Sequence, residues 1–173
     1  MEAVSPDTLL DDVVEEFLQA HAHSRAALAL AERLASSPAD ASTSAVAQRV
    51  ADTFERHLEV HFADEEATLT PRLQGRVAAL DRAIATMRLE HVALHALVSR
   101  VTFLTRLIAR DPQRLLSVRF ELMRAADDLR LRLVTHQALE ESLLFPAVKR
   151  LLTCSDVEAM RAEMTQRRAL ASD

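Results

Sequence analysis

Residues 57–71 read HLEVHFADEEATLTP, and residues 132–146 read RLVTHQALEESLLFP. The two stretches align at an offset of 75, which places Leu58 on Leu133, His61 on His136, Ala63 on Ala138, Glu65 on Glu140, Glu66 on Glu141, Leu69 on Leu144 and Pro71 on Pro146. Matched leucines are expected of any two amphipathic helices. A histidine, two acids and a proline held in one register are not, so the motif His-x-x-x-Glu-Glu followed five residues later by proline is built twice. Residues four apart share a helix face about one turn apart, so His61 with Glu65, and His136 with Glu140, each aim two donors at one point.

Working outward, the apolar period predicts five helices. The first begins at Ser5-Pro6, a capping serine before a proline, and runs to about Ala35 with Leu10, Val14, Phe17, Leu18 and Leu28 inward. The second runs from about Ser42 towards Pro71 on Val46, Val50, Phe54 and Leu58. Gln74-Gly75 marks a turn, and the third helix extends from Val77 to Arg110 on Ile84, Met87, Leu94, Val98, Val101 and Leu104. Asp111-Pro112 separates it from the fourth, Gln113 to about Lys149, which Pro146 should kink or end. A short fifth helix, 155–170, is expected behind a Ser155–Glu158 capping box, packed on its own bundle or, alternatively, forming a homodimer contact.

Short connectors make sequential helices antiparallel, so the expected fold is all-α: an up-down-up-down four-helix bundle with an additional C-terminal helix. The chain of 173 residues reads as a single domain, 1–173, with its core at about 8–150. One glycine in a chain 49% apolar and 27% charged agrees with a helical protein and excludes an all-β one. A net charge of -5 argues against a nucleic-acid partner, which wants a basic surplus. Cys154 is the only cysteine, so no intrachain disulfide forms and a reducing cytoplasm is the expected location. No signal-peptide pattern is visible, and no uninterrupted apolar run approaches the roughly 20 residues that span a bilayer, so no membrane association is expected.

All seven histidines fall on the four long helices. His21 lies on the Val14, Phe17, Leu28 stripe, more squarely than His23. His91 and His95, four apart, sit beside Leu94 and Val98, and His136 lies among Leu129, Leu133 and Leu144. One histidine on an apolar face is ordinarily a satisfied core residue. Several imidazoles and carboxylates buried together would cost several kcal/mol each unless they satisfied one another or held a cation. The candidate ligands are His21, His61, Glu65, His91, His95, His136 and Glu140. His95 is the first to drop out if the third helix supplies one residue, Glu66 and Glu141 are the less favoured acids of each pair, and His57, whose counterpart is Arg132, reads as exposed or supporting. Two first-row ions with carboxylate bridges suit such a set.

Taken together, His21, His61-x-x-x-Glu65-Glu66 with Pro71, Glu90-His91-x-x-x-His95, and His136-x-x-x-Glu140-Glu141 with Phe145-Pro146 resemble the hemerythrin-like, or HHE cation-binding, family over about residues 10–150. The resemblance implies two non-haem iron ions in a four-helix bundle, with glutamates as bridges and histidines as terminal ligands. It also implies a small ligand such as dioxygen, peroxide or nitric oxide, bound for sensing, storage or redox response, with an unknown protein partner to read the state. The competing reading is a di-iron enzyme: peroxidase-like, ferroxidase or nitric-oxide-consuming. The absence of tyrosine and tryptophan removes the usual side-chain radical relays and weighs against radical chemistry. The extra cysteine-bearing region of family members that repair iron–sulfur clusters is not seen, which weighs against that role.

Overall fold

The structure, a computed structural model, describes residues 6–170, and among them there are five helices and no strand. They are α1 (Pro6–Ser36), α2 (residues 43–73), α3 (Ala78–Arg110), α4 (residues 114–151) and α5 (Cys154–Leu170). The expected Ser5 cap lies outside the described residues. The Gln74-Gly75 turn is as read: Gly75 takes φ 78°, and its N–H donates to Asp81 Oδ1 at 2.7 Å.

α2 and α4 are not uniform. Each contains a wide π-turn opening at a repeat glutamate: Thr70 N–H donates to the Glu65 carbonyl, and Phe145 N–H to that of Glu140. A third such turn, Phe54–Leu58, precedes His61 in α2. The repeat prolines follow directly. In the wide register Pro71 would have donated to the Glu66 carbonyl; lacking an N–H it leaves that oxygen to Thr70 Oγ1, which donates to it at 3.0 Å. Pro146 therefore does not end α4, for which the sequence predicts a run to about Lys149 with its regular part kinked or ended at the proline. The preceding wide turn opens the ladder where the proline ring would clash, and the helix continues to Leu151.

The capping box of α5 is also displaced from its expected place. Thr153 N–H and Oγ1 donate to Asp156 Oδ2 at 2.9 and 2.8 Å, and Asp156 N–H donates to Thr153 Oγ1 at 3.2 Å, so the reciprocal pair is Thr153–Asp156 and not Ser155–Glu158.

α1 packs on α2 and α4, and α3 packs on the same two. Contacts rise along one helix as they fall along its neighbour. Ser44, Asp52, Glu59 and Glu66 of α2 meet Ala109, Arg106, His95 and His91 of α3, while His21, Arg25 and Glu32 of α1 meet Glu141, Gln137 and Arg130 of α4. Two apolar clusters fill the interior. One holds Leu28, Phe54, Leu58, Phe62, Leu94, Val98 and Leu133; the other holds Val14, Phe17, Leu69, Met87, Leu144 and Phe145. Each of α1 to α4 passes from one cluster to the other, and the polar residues of the repeat fall at that crossing. Leu18 and Val46 are only partly buried, at the margins of the two clusters. α5 lays Val157, Met160 and Met164, all buried, on its own chain against α1 and α2.

Candidate metal centre

His21, His61, Glu65, His91, His136 and Glu140 converge between the two apolar clusters, none more than 4% exposed. They form two groups, His21–His61–Glu65–Glu140 and Glu65–His91–His136–Glu140, whose donor atoms lie within 4.8 Å of one another. The glutamates belong to both groups, and their oxygens are divided between them. Glu65 sets Oε1 3.1 Å from His61 Nε2 and Oε2 3.3 Å from His91 Nε2. Glu140 sets Oε2 3.1 Å from His21 Nε2 and Oε1 3.1 Å from His136 Nε2. Four rods thus deliver one histidine each, and the two repeat helices deliver the carboxylates.

His95 does not join them, which corrects the seven-residue expectation to six. Four-residue spacing alone does not bring His95 inward: the buried places opposite His91 are taken by Glu65 and His136. The His95 side chain is 45% exposed, with Nδ1 2.9 Å from Glu59 Oε2. Phe62 packs against both α3 histidines, stacked on His91 at 4.2 Å and edge-on to His95 at 5.2 Å.

The outer nitrogens are held as well. His21 Nδ1 lies 2.8 Å from Glu141, His91 Nδ1 2.6 Å from Glu66, and His136 Nδ1 3.1 Å from Glu90. The second acid of each Glu-Glu pair is therefore neither a donor to the centre nor idle. It reaches across to the neighbouring helix's histidine, fixes the Nδ1–H tautomer and leaves Nε2 as the inward lone pair. Sequence reading missed this role, and quoted Glu90 as part of the His91 motif without giving it one. The available signal was a second internal offset, 70, which carries Leu10, Val14, Phe17, His21 and Leu28 onto Leu80, Ile84, Met87, His91 and Val98. By that offset Glu90 corresponds to Ala20. No carboxylate among the described residues reaches His61 Nδ1, and Ala20 and His61 instead line a surface cleft of about 430 Å³ with His23, Arg56 and His57. His23 and His57, their rings 6.0 Å apart, thus stand outside the centre.

Without a cation this arrangement is costly. His21 Nε2, His61 Nε2 and all four oxygens of Glu65 and Glu140 are buried with no hydrogen-bond partner. Burial pushes the Glu65 carboxyl well up, and the Glu140 charge adds to that. Burial also raises Glu140, but the facing imidazoles of His136 and His21 outweigh it and hold Glu140 well below the carboxylate range. Burial pushes His61 down to about 3, and lowers His91 despite its bond to Glu66. On His136 burial acts downward, but Glu140 and Glu90 leave its pKa raised. Neutral imidazoles with inward lone pairs, facing buried carboxylates, are a donor set that a multivalent cation satisfies.

The hemerythrin HHE cation-binding domain model matches residues 12–148, which span α1 to α4 and contain all six converging residues. The chain belongs to the hemerythrin HHE family. No curated protein and no solved structure gives a significant match. α5 lies beyond the matched HHE region, and within it the cation-binding function rests on side chains from α1 to α4 alone.

Proposed function

We propose that this HHE domain holds two iron ions in an up-down-up-down four-helix bundle and binds dioxygen, or a related small oxidant such as peroxide or nitric oxide, for sensing, storage or redox response in the cytoplasm. The observation that carries the proposal is the division of each buried carboxylate between two histidine pairs, the geometry of a bridging ligand. His21 and His61 would hold one ion and His91 and His136 the other, with Glu65 and Glu140 spanning both. Iron bound there supplies exchangeable coordination positions and a reversible redox couple.

The chain's own residues do the rest. Glu66, Glu141 and Glu90 orient three of the imidazoles; the apolar clusters keep bulk water out; the cleft beside Ala20 gives a small molecule a path to His61. Imidazole-rich, carboxylate-poor coordination favours small-ligand binding over strongly oxidising chemistry.

Metal analysis together with oxidised and reduced spectra tests the proposal. Two iron per chain, one for each group, are expected. With no tryptophan or tyrosine, near-ultraviolet bands from the metal stand clear of protein absorbance. A charge-transfer band that forms with oxygen and reverses on its removal supports binding. Sustained turnover of peroxide or ferrous ion moves the reading to a di-iron enzyme, and full metal content in both His61→Ala and His136→Ala overturns the ligand assignment.

A further inference from the structure

α3 is apolar on two faces. An 18-residue window within it reaches a mean hydropathy of 1.5, yet only 39% of that window is buried. The inner stripe lies in the core, while Leu89, Val92 and Phe103 face outward, 74, 71 and 57% exposed. α4 repeats the pattern with Leu116, Phe120, Met123, Leu131 and Val134, 38–76% exposed. At 100° per residue each set falls within about 80° of one side of its helix, although Val92 and Phe103 are eleven residues apart and Met123 and Leu131 eight, so each is a helix face and not a scatter of surface residues. Together they leave on the order of 800 Å² of apolar surface uncovered, above the few hundred Å² usual on a monomer and close to one side of a standard protein interface.

The apolar residues of the α4 stripe are spread on both sides of residues 125–126: Leu116, Phe120 and Met123 precede that point, and Leu131 and Val134 follow it. Two antiparallel copies crossing there bring Phe120 against Leu131 of the second copy and Leu116 against its Val134. Arg124 then faces Asp128 of the second copy, and Asp128 faces its Arg124. Among the described residues neither Arg124 nor Asp128 has an ion pair, although Arg100 pairs with Glu121 and Arg130 with both Asp127 and Glu32. A groove between α3 and α4, lined by Ala93, Ala96, Leu97 and Leu131, offers room for an inserted side chain. Along the α3–α4 groove Arg100, Arg124 and Arg132 are matched by Glu90, Glu121 and Asp128, whereas an anionic membrane surface would be met by a basic surplus.

We propose that the outer face of α3 and α4 is a two-fold interface with a second copy of this chain, centred near residue 125 of α4 and closed by reciprocal Arg124–Asp128 pairs. Such an isologous contact pairs each residue with its counterpart's partner and needs no other chain. It covers Glu90, the carboxylate on His136, so the interface lies one side chain away from the metal centre.

Analytical ultracentrifugation of the full chain at ~100 µM tests it. The expected mass is twice 19.2 kDa. Phe120→Asp should weaken the dimer about 100-fold with helicity and metal content unchanged. R124D and D128R should each weaken it, and the double reversal should restore it. A monomer at that concentration, a dimer indifferent to Phe120→Asp and to both reversals, or binding of the parent chain to phosphatidylglycerol vesicles through this face would overturn the proposal. Loss of metal from the parent chain would instead count against the proposed function and leave this reading intact.

Discussion

At the residue scale, the decisive feature is a pair of carboxylates with no donors of their own. Glu65 and Glu140 are buried side by side, each oxygen close to an imidazole but without a hydrogen bond. A group arranged for a cation destabilises the protein that lacks it, because desolvated like charges are costly. Glu65→Gln removes one charge and supplies a donor towards Glu140, so the metal-free protein should gain about 1–2 kcal/mol at neutral pH. In urea denaturation the metal-loaded parent should remain the more stable of the two; equal stability of the two metal-free forms would contradict this account. The outer carboxylates make a separate prediction. Glu66→Ala and Glu141→Ala each free a histidine Nδ1 and should weaken metal affinity roughly 10- to 100-fold, with full occupancy recovered at high metal. Glu59→Ala, which touches only the exposed His95, should leave affinity unchanged in the same competition titration. The six converging residues were legible in sequence because burial and spacing agree for each of them. Glu66, Glu141 and Glu90 were not, because spacing along one helix says nothing about which residue of the next helix a long side chain reaches.

At the element scale, the repeat proline is explained by backbone, not by the centre. A proline five residues after the second acid follows a turn already widened enough to accept its ring, and at Pro71 the Thr70 hydroxyl replaces the missing N–H, so the turn and the proline suit each other. Sequence patterning finds helices by a 3.6-residue period and does not see one added residue in a turn, which is why the irregularity was expected at Pro146 and not at the turn that precedes it. The α5 cap was misplaced for a related reason: Ser155 and Thr153 both stand three residues before an acid, and only the chain's exit from Leu151 decides between them. Hydrogen bonds from Thr153, backbone first and then side chain, lower the Asp156 pKa from its ordinary 3.8. A depressed carboxylate contributes stability that is present above the unfolded value and lost as pH falls through the folded one. Solvent screens this nearly open carboxylate, so Asp156→Ala should cost at most about 0.5 kcal/mol at neutral pH, the low end for a lost cap, and parent and variant should converge below 3.8 in thermal melts.

At the scale of the whole molecule, the question is what α5 contributes to a centre it does not enter. It seals the second apolar cluster with Val157, Met160 and Met164, and it brings Arg167 and Arg168 to Asp64, 2% exposed and adjacent to Glu65 in sequence. Burial raises the Asp64 pKa even against those arginines, so without them the acid would be stranded. A chain ending at Leu152 loses both contributions. Each buried apolar side chain is worth about 1.5–3 kcal/mol, but the cost of ordering the helix is also spared, so a net loss of about 3–5 kcal/mol is expected. All six converging residues remain in the shortened chain, so its metal content should survive even as its melting temperature falls. Because the site is unchanged, added metal at equal excess should stabilise the shortened chain and the parent by the same free energy. A shortened chain that keeps its helicity but holds no metal would give α5 a part in the centre itself, through Asp64 and its effect on the position of Glu65.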